Sequence, residues 1–430
     1  MFGAVDWHDG GVPGRVLIVA YYFPPIGGIG SIRLARFASL LPELGWETAV
    51  LAPRATPHAT DANLRFPEQR VVRSRSIELS QVGRMVVGAR VAPAQTADRA
   101  ASAATRAGLR AAAHRYLFFP DPQVGWYPGA IAAGLRTLRR QRFDAIYSSA
   151  YPMTSHLIAR TLSRRSGLPW VAEYRDPWSD RLAPDHPYLR RARRLERAVA
   201  HDATTVVLPT PTWAEHYGGL WGTAAALLPN GHDSELPQWR PPKRPTLTYV
   251  GSFYPADHDL TTLWQALARW RGGDGEDAPR VRFVGHLSAQ VREQMAAHGI
   301  ADLLESTGFV PHDEAMRELM SSSMLVASGI AGDHPARRGW VPAKLFEYLA
   351  SGLPVLYLGD PSTNAAQLLS GHAGCHVVRP GDVEGALTAV RSGLADGRHD
   401  RDVDHLSRKA GARALARILD DARSAGLPGR

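Results

Sequence analysis

The sequence predicts an α/β protein of two doubly wound domains, each a parallel sheet flanked by helices. Three observations carry this expectation. Short apolar runs alternate with amphipathic stretches along both halves of the chain. A Pro/Arg-rich segment at residues 237–245 interrupts the alternation, and a strand running into glycine opens each side of it. The length of 430 residues exceeds one ordinary domain.

The first predicted strand, residues 15–20, is a continuous apolar run of the kind buried on both faces of a parallel sheet. It enters a loop, Pro24-Pro-Ile-Gly27-Gly28-Ile-Gly30-Ser31, and then a helix with Leu34, Phe37, Leu41 and Leu44 on one face. Pro42 shortens or kinks that helix. Residues 47–52 return as a strand, completing a strand–loop–helix–strand unit. The stretch 54–120 has little pattern beyond an Ala/Arg-rich exposed helix over 97–113. Helices are then expected at 126–141, 154–166 and 188–201, with strands at 145–148, 170–173 and 205–208. Beyond the linker, strands are expected at 247–250, 281–285, 304–309, 324–327 and 354–358, and a helix at 260–271. The resulting division is a tail over 1–14, a Rossmann-like domain over 15–236, the linker 237–245, a second Rossmann-like domain over 246–402, and a helix over 403–430 that crosses back to the first.

Composition narrows the function classes. No run approaches the roughly 18 apolar residues of a membrane-spanning helix, and residues 1–14 carry Asp6 and Asp9 with no basic start, unlike a secretory leader. Cys375 is the single cysteine, which excludes internal disulfides and a cysteine zinc cage. A cytoplasmic protein is expected. The 50 basic and 41 acidic residues leave a net charge of +9, which permits anionic partners. No zinc-finger spacing or aromatic RNA-binding signature accompanies it, so nucleic acid is not expected. The cluster Arg190, Arg191, Arg193 and Arg194 reads first as a solvated face, and as a peripheral membrane contact if a substrate is lipid-linked.

Three motifs carry chemistry. Gly27, Gly28 and Gly30 follow the first strand, where bare backbone and a helix N-terminus favour an anion, although a ligand-free turn has the same signature. Glu173-Tyr-Arg175-Asp176-Pro-Trp178 follows an apolar strand, at the edge where doubly wound sheets bind ligands. There Arg175 suits a phosphate and Asp176 a sugar hydroxyl, or the two cap a turn together. Lys344 and Glu347 share one face of a helix ending at Gly352. The lysine suits a diphosphate near the helix start and the carboxylate suits a ribose diol; a surface ion pair is the plainer alternative.

At these residues the sequence resembles the family-four glycosyltransferases, which have the GT-B fold of two Rossmann-like domains facing a central cleft. The resemblance runs in order over most of the chain. It includes the 24–30 loop, and Pro120 to Trp126, residues 148–157 and Glu173 to Trp178 as in a bacterial branch. It continues through Asn230-Gly231-His232-Asp233, Tyr249 to Ser252, Gly308-Phe309-Val310-Pro311, and the helix Lys344 to Gly352. It implies transfer of a sugar from a UDP-, GDP- or dTDP-linked donor, with retention of configuration, no metal and no obligatory cofactor. The acceptor is then a small molecule, a glycan or a lipid-linked glycan. It implies that the second domain holds the donor through Gly251, Ser252, Phe309, Val310, Lys344, Leu345 and Glu347, with Gly27, Gly28 and Gly30 facing it. Arg175, Asp176 and Trp178 would meet the acceptor. The family's frequent Glu-x7-Glu has Gly339 at its first position, and its Arg/Lys pair after the Gly251 strand is absent, only His258 standing in residues 254–260. Arg337 or Arg338 then supplies charge, and Ser149 stands where the family has a catalytic His, with His156 further along. A non-catalytic nucleotide-sugar-binding or partner protein, or a nucleotide-sugar epimerase, are the alternatives on the same architecture.

Overall fold

The computed structural model describes residues 13–54, 60–61, 64–77, 119–233, 235–251, 253, 258–273 and 277–426. The expected helix over 97–113 lies outside these residues, as do Ser252, residues 254–257 and most of the stretch 54–120. The chain divides into two compact units. The first comprises residues up to Leu208 with Tyr217–Ala226 and Ala412–Arg430; the second comprises Pro209–His216 and Leu227–Gly411.

Unit 1 is built on a seven-stranded sheet in the order β3-β2-β1-β4-β5-β6-β7. Its strands are β1 (Gly14–Val19), β2 (Trp46–Pro53), β3 (Val71–Ser74), β4 (Ala145–Ala150), β5 (Trp170–Tyr174), β6 (Thr205–Leu208) and β7 (Ala225–Leu227). β1 pairs in parallel with both β2 and β4, and the β2–β3, β4–β5 and β5–β6 pairs are parallel too. The crossover helices are α1 (Ile29–Leu40), α2 (Tyr127–Arg140), α3 (Met153–Ser166) and α4 (Leu189–Asp202). α1 stops one residue before the Leu41–Leu44 3-10 turn, because Pro42 cannot continue the α-helical bonding. Leu34, Phe37 and Leu41 are buried as the helical period requires. β3 and β7 were not expected from the sequence: both are short edge strands, where burial imposes little pattern. Trp126 is core, its indole N–H donating to Ser74 Oγ at 2.7 Å.

Unit 2 repeats the design with six strands in the order β10-β9-β8-β11-β12-β13. These are β8 (Thr246–Val250), β9 (Arg280–Val284), β10 (Leu304–Gly308), β11 (Met324–Ser328), β12 (Val355–Leu358) and β13 (Cys375–Val378), every adjacent pair parallel. Its helices include α5 (Pro211–Trp221, shared with unit 1), α6 (Thr261–Gly272), α7 (Ala289–Ala297), α8 (His312–Leu319), α9 (Pro335–Arg338), α10 (Lys344–Ser351), α11 (Asn364–Ser370) and α12 (Val383–Asp396). α13 (Arg408–Ala425) closes the chain. Apolar layers cover both faces of the sheet, one around Trp264, Phe283 and Leu356, the other around Leu345, Tyr348 and Tyr357. The expected linker is docked on this unit: Trp239 Nε1 donates to Ser322 O at 3.1 Å and the Arg240 amide to Met320 O at 2.9 Å. Among the described residues no helix is long and apolar enough to cross a membrane.

Both sheets reverse strand order at one point, between β1 and β4 in unit 1 and between β8 and β11 in unit 2. Ligands of such sheets bind outside the carboxyl ends of the strands at that reversal.

Candidate functional site

In unit 2, three neighbouring strands end in glycine with positive φ: Gly251 (+106°) after β8, Gly285 (+137°) after β9 and Gly308 (+70°) closing β10. Gly251 donates its amide to Val284 O at 2.8 Å, and Gly285 and Gly308 form an isolated bridge. A Cβ on Gly285 would fall 2.7 Å from the Gly251 carbonyl oxygen, so these turns pack backbone on backbone. Gly285 is buried in this packing, and the turns at Gly251 and Gly308 are left as partly exposed main chain that an anionic ligand can approach closely.

Lys344 opens α10 beside this rim. A Cβ on Gly251 would lie 3.6 Å from its Nζ, which sits 3.5 Å from the centre of the Tyr249 ring. Lost hydration pulls its pKa from 10.5 down to about 7, against the opposing charge of Glu347. Tyr348, one residue beyond Glu347, pins the helix to the sheet: its hydroxyl accepts from the Val250 amide at 2.9 Å and donates to Val326 O. Glu347 does not pair with Lys344. Its Oε1 lies 3.4 Å from Arg408 Nη2 and 3.9 Å from His312 Nε2. Leu345 points away from this edge and is buried with Leu349 in the core, its amide bonded to Pro342 O.

Phe309 and Val310 follow β10. Phe309 is 75% exposed, an unusual state for a large apolar ring, and stacks on His286 with centroids 5.8 Å apart. Val310 is partly buried against the core. The loop leads directly into His312 and so back to Glu347. The described residues therefore bring Gly251, Phe309, Val310, Lys344 and Glu347 around one edge of the sheet, and Ser252 lies outside them.

Gly339 has a steric explanation. A Cβ there would meet Trp213 Cδ1 at 2.1 Å, and the buried indole is held by its N–H to Ala336 O at 3.1 Å. No side chain fits this position. Both candidate cations on α9 are exposed, and Arg337 donates to Ala331 O. The Ser362 hydrogen bonds and then Arg379 lower the pKa of Asp360, and Arg338 adds the smallest share. His258 lies between the rings of Phe253 and Trp340.

In unit 1, Gly28 (φ +105°) caps α1, and Gly30 admits Arg175, whose Nη1 would be 1.9 Å from a Cβ there. Arg175 donates to Ala150 O and Tyr151 O at 3.2 and 2.9 Å. Asp176 and Trp178 line a hollow with Tyr151, Met153 and Arg181 at the carboxyl ends of β4 and β5. Beneath it, Glu173 is buried and accepts from Arg33 at 2.7 Å and from Tyr147 and Ser149 at 2.6 Å each. Burial pushes its carboxyl up, but the Arg33 charge, the two hydroxyls and the Arg175 charge outweigh this and leave it below the usual value. Ser149 is thus committed to Glu173. His156 has no exposed surface: its Nδ1 meets Ser148 Oγ at 2.8 Å and its ring packs on Tyr174 and Trp170. Burial drives its pKa down to about 3, against Glu173. A neutral, enclosed imidazole orients the core here and meets no solvent-borne acceptor.

Sequence reasoning did not single out Gly285, His286, His312, Arg408 or Trp213. Gly285 carried a signal, since it ends an apolar strand as Gly251 does. Arg408 and Trp213 carried none, because their contacts span 61 residues to Glu347 and 123 to Ala336.

Residues 27–231 match the Glycosyl transferase 4-like domain, and residues 244–396 match Glycosyl transferases group 1. Among solved structures, the chain is similar to sucrose-phosphate synthase from Thermosynechococcus elongatus, at 15% identity and TM-score 0.59 over 96% of this chain and 95% of that one. It is also similar to the lipopolysaccharide outer core galactosyltransferase WaaB in its apo form, at 13% identity and TM-score 0.57 over 95% and 99%. HepE of Anabaena in complex with UDP is a third, at 14% identity and TM-score 0.56 over 96% and 97%. No curated protein matches the chain in sequence.

Proposed function

We propose that this chain, which belongs to the family-four-like glycosyltransferases of GT-B fold, moves a sugar from a nucleotide-sugar donor to an acceptor hydroxyl with retention of configuration. The observation that carries this reading is the meeting of Lys344, Glu347 and the partly exposed turns at Gly251 and Gly308, packed on buried Gly285, at one sheet edge. Lys344 and the partly exposed main chain of Gly251 suit a diphosphate, Glu347 a ribose diol, and Phe309 with Val310 a nucleobase. In the reaction, the bond from sugar C1 to the diphosphate oxygen breaks and the acceptor oxygen bonds to C1. The acceptor proton ends on the departing diphosphate, whose charge Lys344 stabilises.

A UDP-linked sugar is the first donor to test, because the related fold of HepE holds UDP and UDP-glucose. GDP and dTDP donors are the alternatives, and no metal or other cofactor is needed on this reading. The acceptor, a small molecule, glycan or lipid-linked glycan, is assigned to Arg175, Asp176 and Trp178 in unit 1. Gly27, Gly28 and Gly30 are assigned to the donor phosphates, and Arg338 to supplementary charge. The exposed Arg190, Arg191, Arg193 and Arg194 on α4 would serve a peripheral contact with an anionic membrane. A second reading, nucleotide-sugar binding without turnover, is favoured by one observation: Trp213 fills the place of the family's first carboxylate.

Thermal-shift titration with UDP-, GDP- and dTDP-sugars followed by turnover assays separates the two. Stabilisation by a donor together with slow hydrolysis or transfer supports the transferase. Stabilisation with no turnover on any acceptor supports the second reading, and no response to any nucleotide removes both.

A further inference from the structure

Glu347 is held by Arg408, from a segment, residues 403–408, that carries no recognised motif. The Asn230-Gly231-His232-Asp233 turn is stitched to residues 403–408 along its backbone. His232 donates its amide to Leu406 O at 3.2 Å, and the Arg408 amide donates to His232 O at 2.8 Å. The His232 ring bridges Val403 O and Asp233 O, at 3.0 Å each. Gly231 allows this approach, since a Cβ there would fall 2.7 Å from Leu406 O and 2.9 Å from the Arg408 nitrogen. The stitching delivers the Arg408 guanidinium, 4% exposed, between two carboxylates: Nη1 lies 2.9 Å from Asp233 Oδ2 and Nη2 3.4 Å from Glu347 Oε1.

The occupancy of Glu347 is one-sided. Arg408 and His312 both approach Oε1, and among the described residues nothing bonds Oε2. Lys344, three residues earlier on the same helix, makes no ion pair with this carboxylate although its charge feels it. Without a fixed cation behind it, a carboxylate in this setting would turn to the nearest ammonium.

We propose that Arg408 is a positioning residue of the donor site, which holds Glu347 by one oxygen so that Oε2 faces the ribose diol and Lys344 stays unpaired for the diphosphate. Asp233 anchors the guanidinium from the other side. This rests on the reading of unit 2 as a nucleotide-sugar site. Arg408 touches no substrate; it acts through Glu347.

The test measures binding of UDP and GDP, and of their 2′,3′-dideoxy forms, to the full chain by calorimetry, with melting temperature as the folding control. Arg408→Met is expected to weaken the ribonucleotide by about tenfold or more and to change the dideoxy form by less than about twofold. Arg408→Lys should recover part of the loss, and Glu347→Gln should reproduce the same ribose-dependent loss with Arg408 in place. If Arg408→Met does not fold, the Arg408→Lys and Glu347→Gln pair carries the comparison. An equal loss for ribo- and dideoxynucleotides, or no loss, overturns the role of Arg408 and leaves the nucleotide site standing. Failure of the unaltered protein to bind either nucleotide overturns the site and the role together.

Discussion

Lys344 sits where an ammonium is poorly hydrated, and its state decides how the site behaves with pH. With a pKa near 7 against 10.5 in an open chain, the folded protein binds fewer protons than the unfolded one between those values. Its contribution therefore makes stability rise with pH across that window, and an arriving diphosphate should pull a proton onto the amine above pH 7. We expect nucleotide binding at pH 8 to take up close to one proton, read as a buffer-dependent calorimetric enthalpy, and Lys344→Ala to abolish that uptake. The same substitution should lower transfer about 10²- to 10³-fold, the scale of losing one charge-stabilising donor, with the melting temperature unchanged or raised. Gly339 gives the opposite kind of test. Restoring the family's carboxylate by Gly339→Glu should drive the side chain into Trp213, destabilise by about 1–3 kcal/mol and bring no gain in activity. A variant that keeps its urea midpoint and turns over faster would refute the steric account.

Elements in unit 1 are tied together by buried carboxylates with opposite pH signatures. Asp121 caps the start of α3, accepting from the Thr154 amide at 2.8 Å and its hydroxyl at 2.7 Å, and burial raises its pKa from 3.8 to about 6. Glu196 on α4 accepts from the Trp178 and Ser179 amides, and burial raises it from 4.5 to about 7. Raised carboxylates stabilise most below their unfolded values and lose that contribution as pH climbs through the folded ones. Glu173, held below its ordinary value, contributes above about pH 4.5 and loses that as pH falls. We expect urea stability to drop between pH 4 and 7, with Asp121→Asn flattening the part of the slope up to about pH 6. A slope untouched by Asp121→Asn would place the titrating group elsewhere. The central strands and their crossover helices were legible because each is an uninterrupted apolar run or a 3.6-residue stripe. β3, β7 and β13 were not, since short strands at sheet edges bury too little to impose a period.

At the scale of the whole molecule, two sheets of matching strand order each offer one reversal point, and the candidate residues gather at both. A ligand bound only by the native state raises stability by about 2.7 kcal/mol at a hundredfold excess over its Kd. A donor nucleotide at saturating concentration should therefore raise the melting temperature of the full chain by several degrees, and Glu347→Gln should reduce that rise. An unaltered shift in the variant would remove Glu347 from the donor contacts.

Much of this protein is determined by the chain's local chemistry. The alternation of strands and helices, the glycines that end β1's loop and β8, and the Lys344–Glu347 spacing are all short-range patterns with a short-range cause, and the two matched domains bear out the family they suggest. Tertiary structure decided the rest. Whether Glu347 answers Lys344 or Arg408, why Gly339 bears no side chain, and that His156 is enclosed all depend on residues brought together from distant segments. Spacing along one helix can say which groups share a face. It cannot say which oxygen a buried cation reaches, because that is settled by the packing of chain segments whose separation leaves no periodic trace.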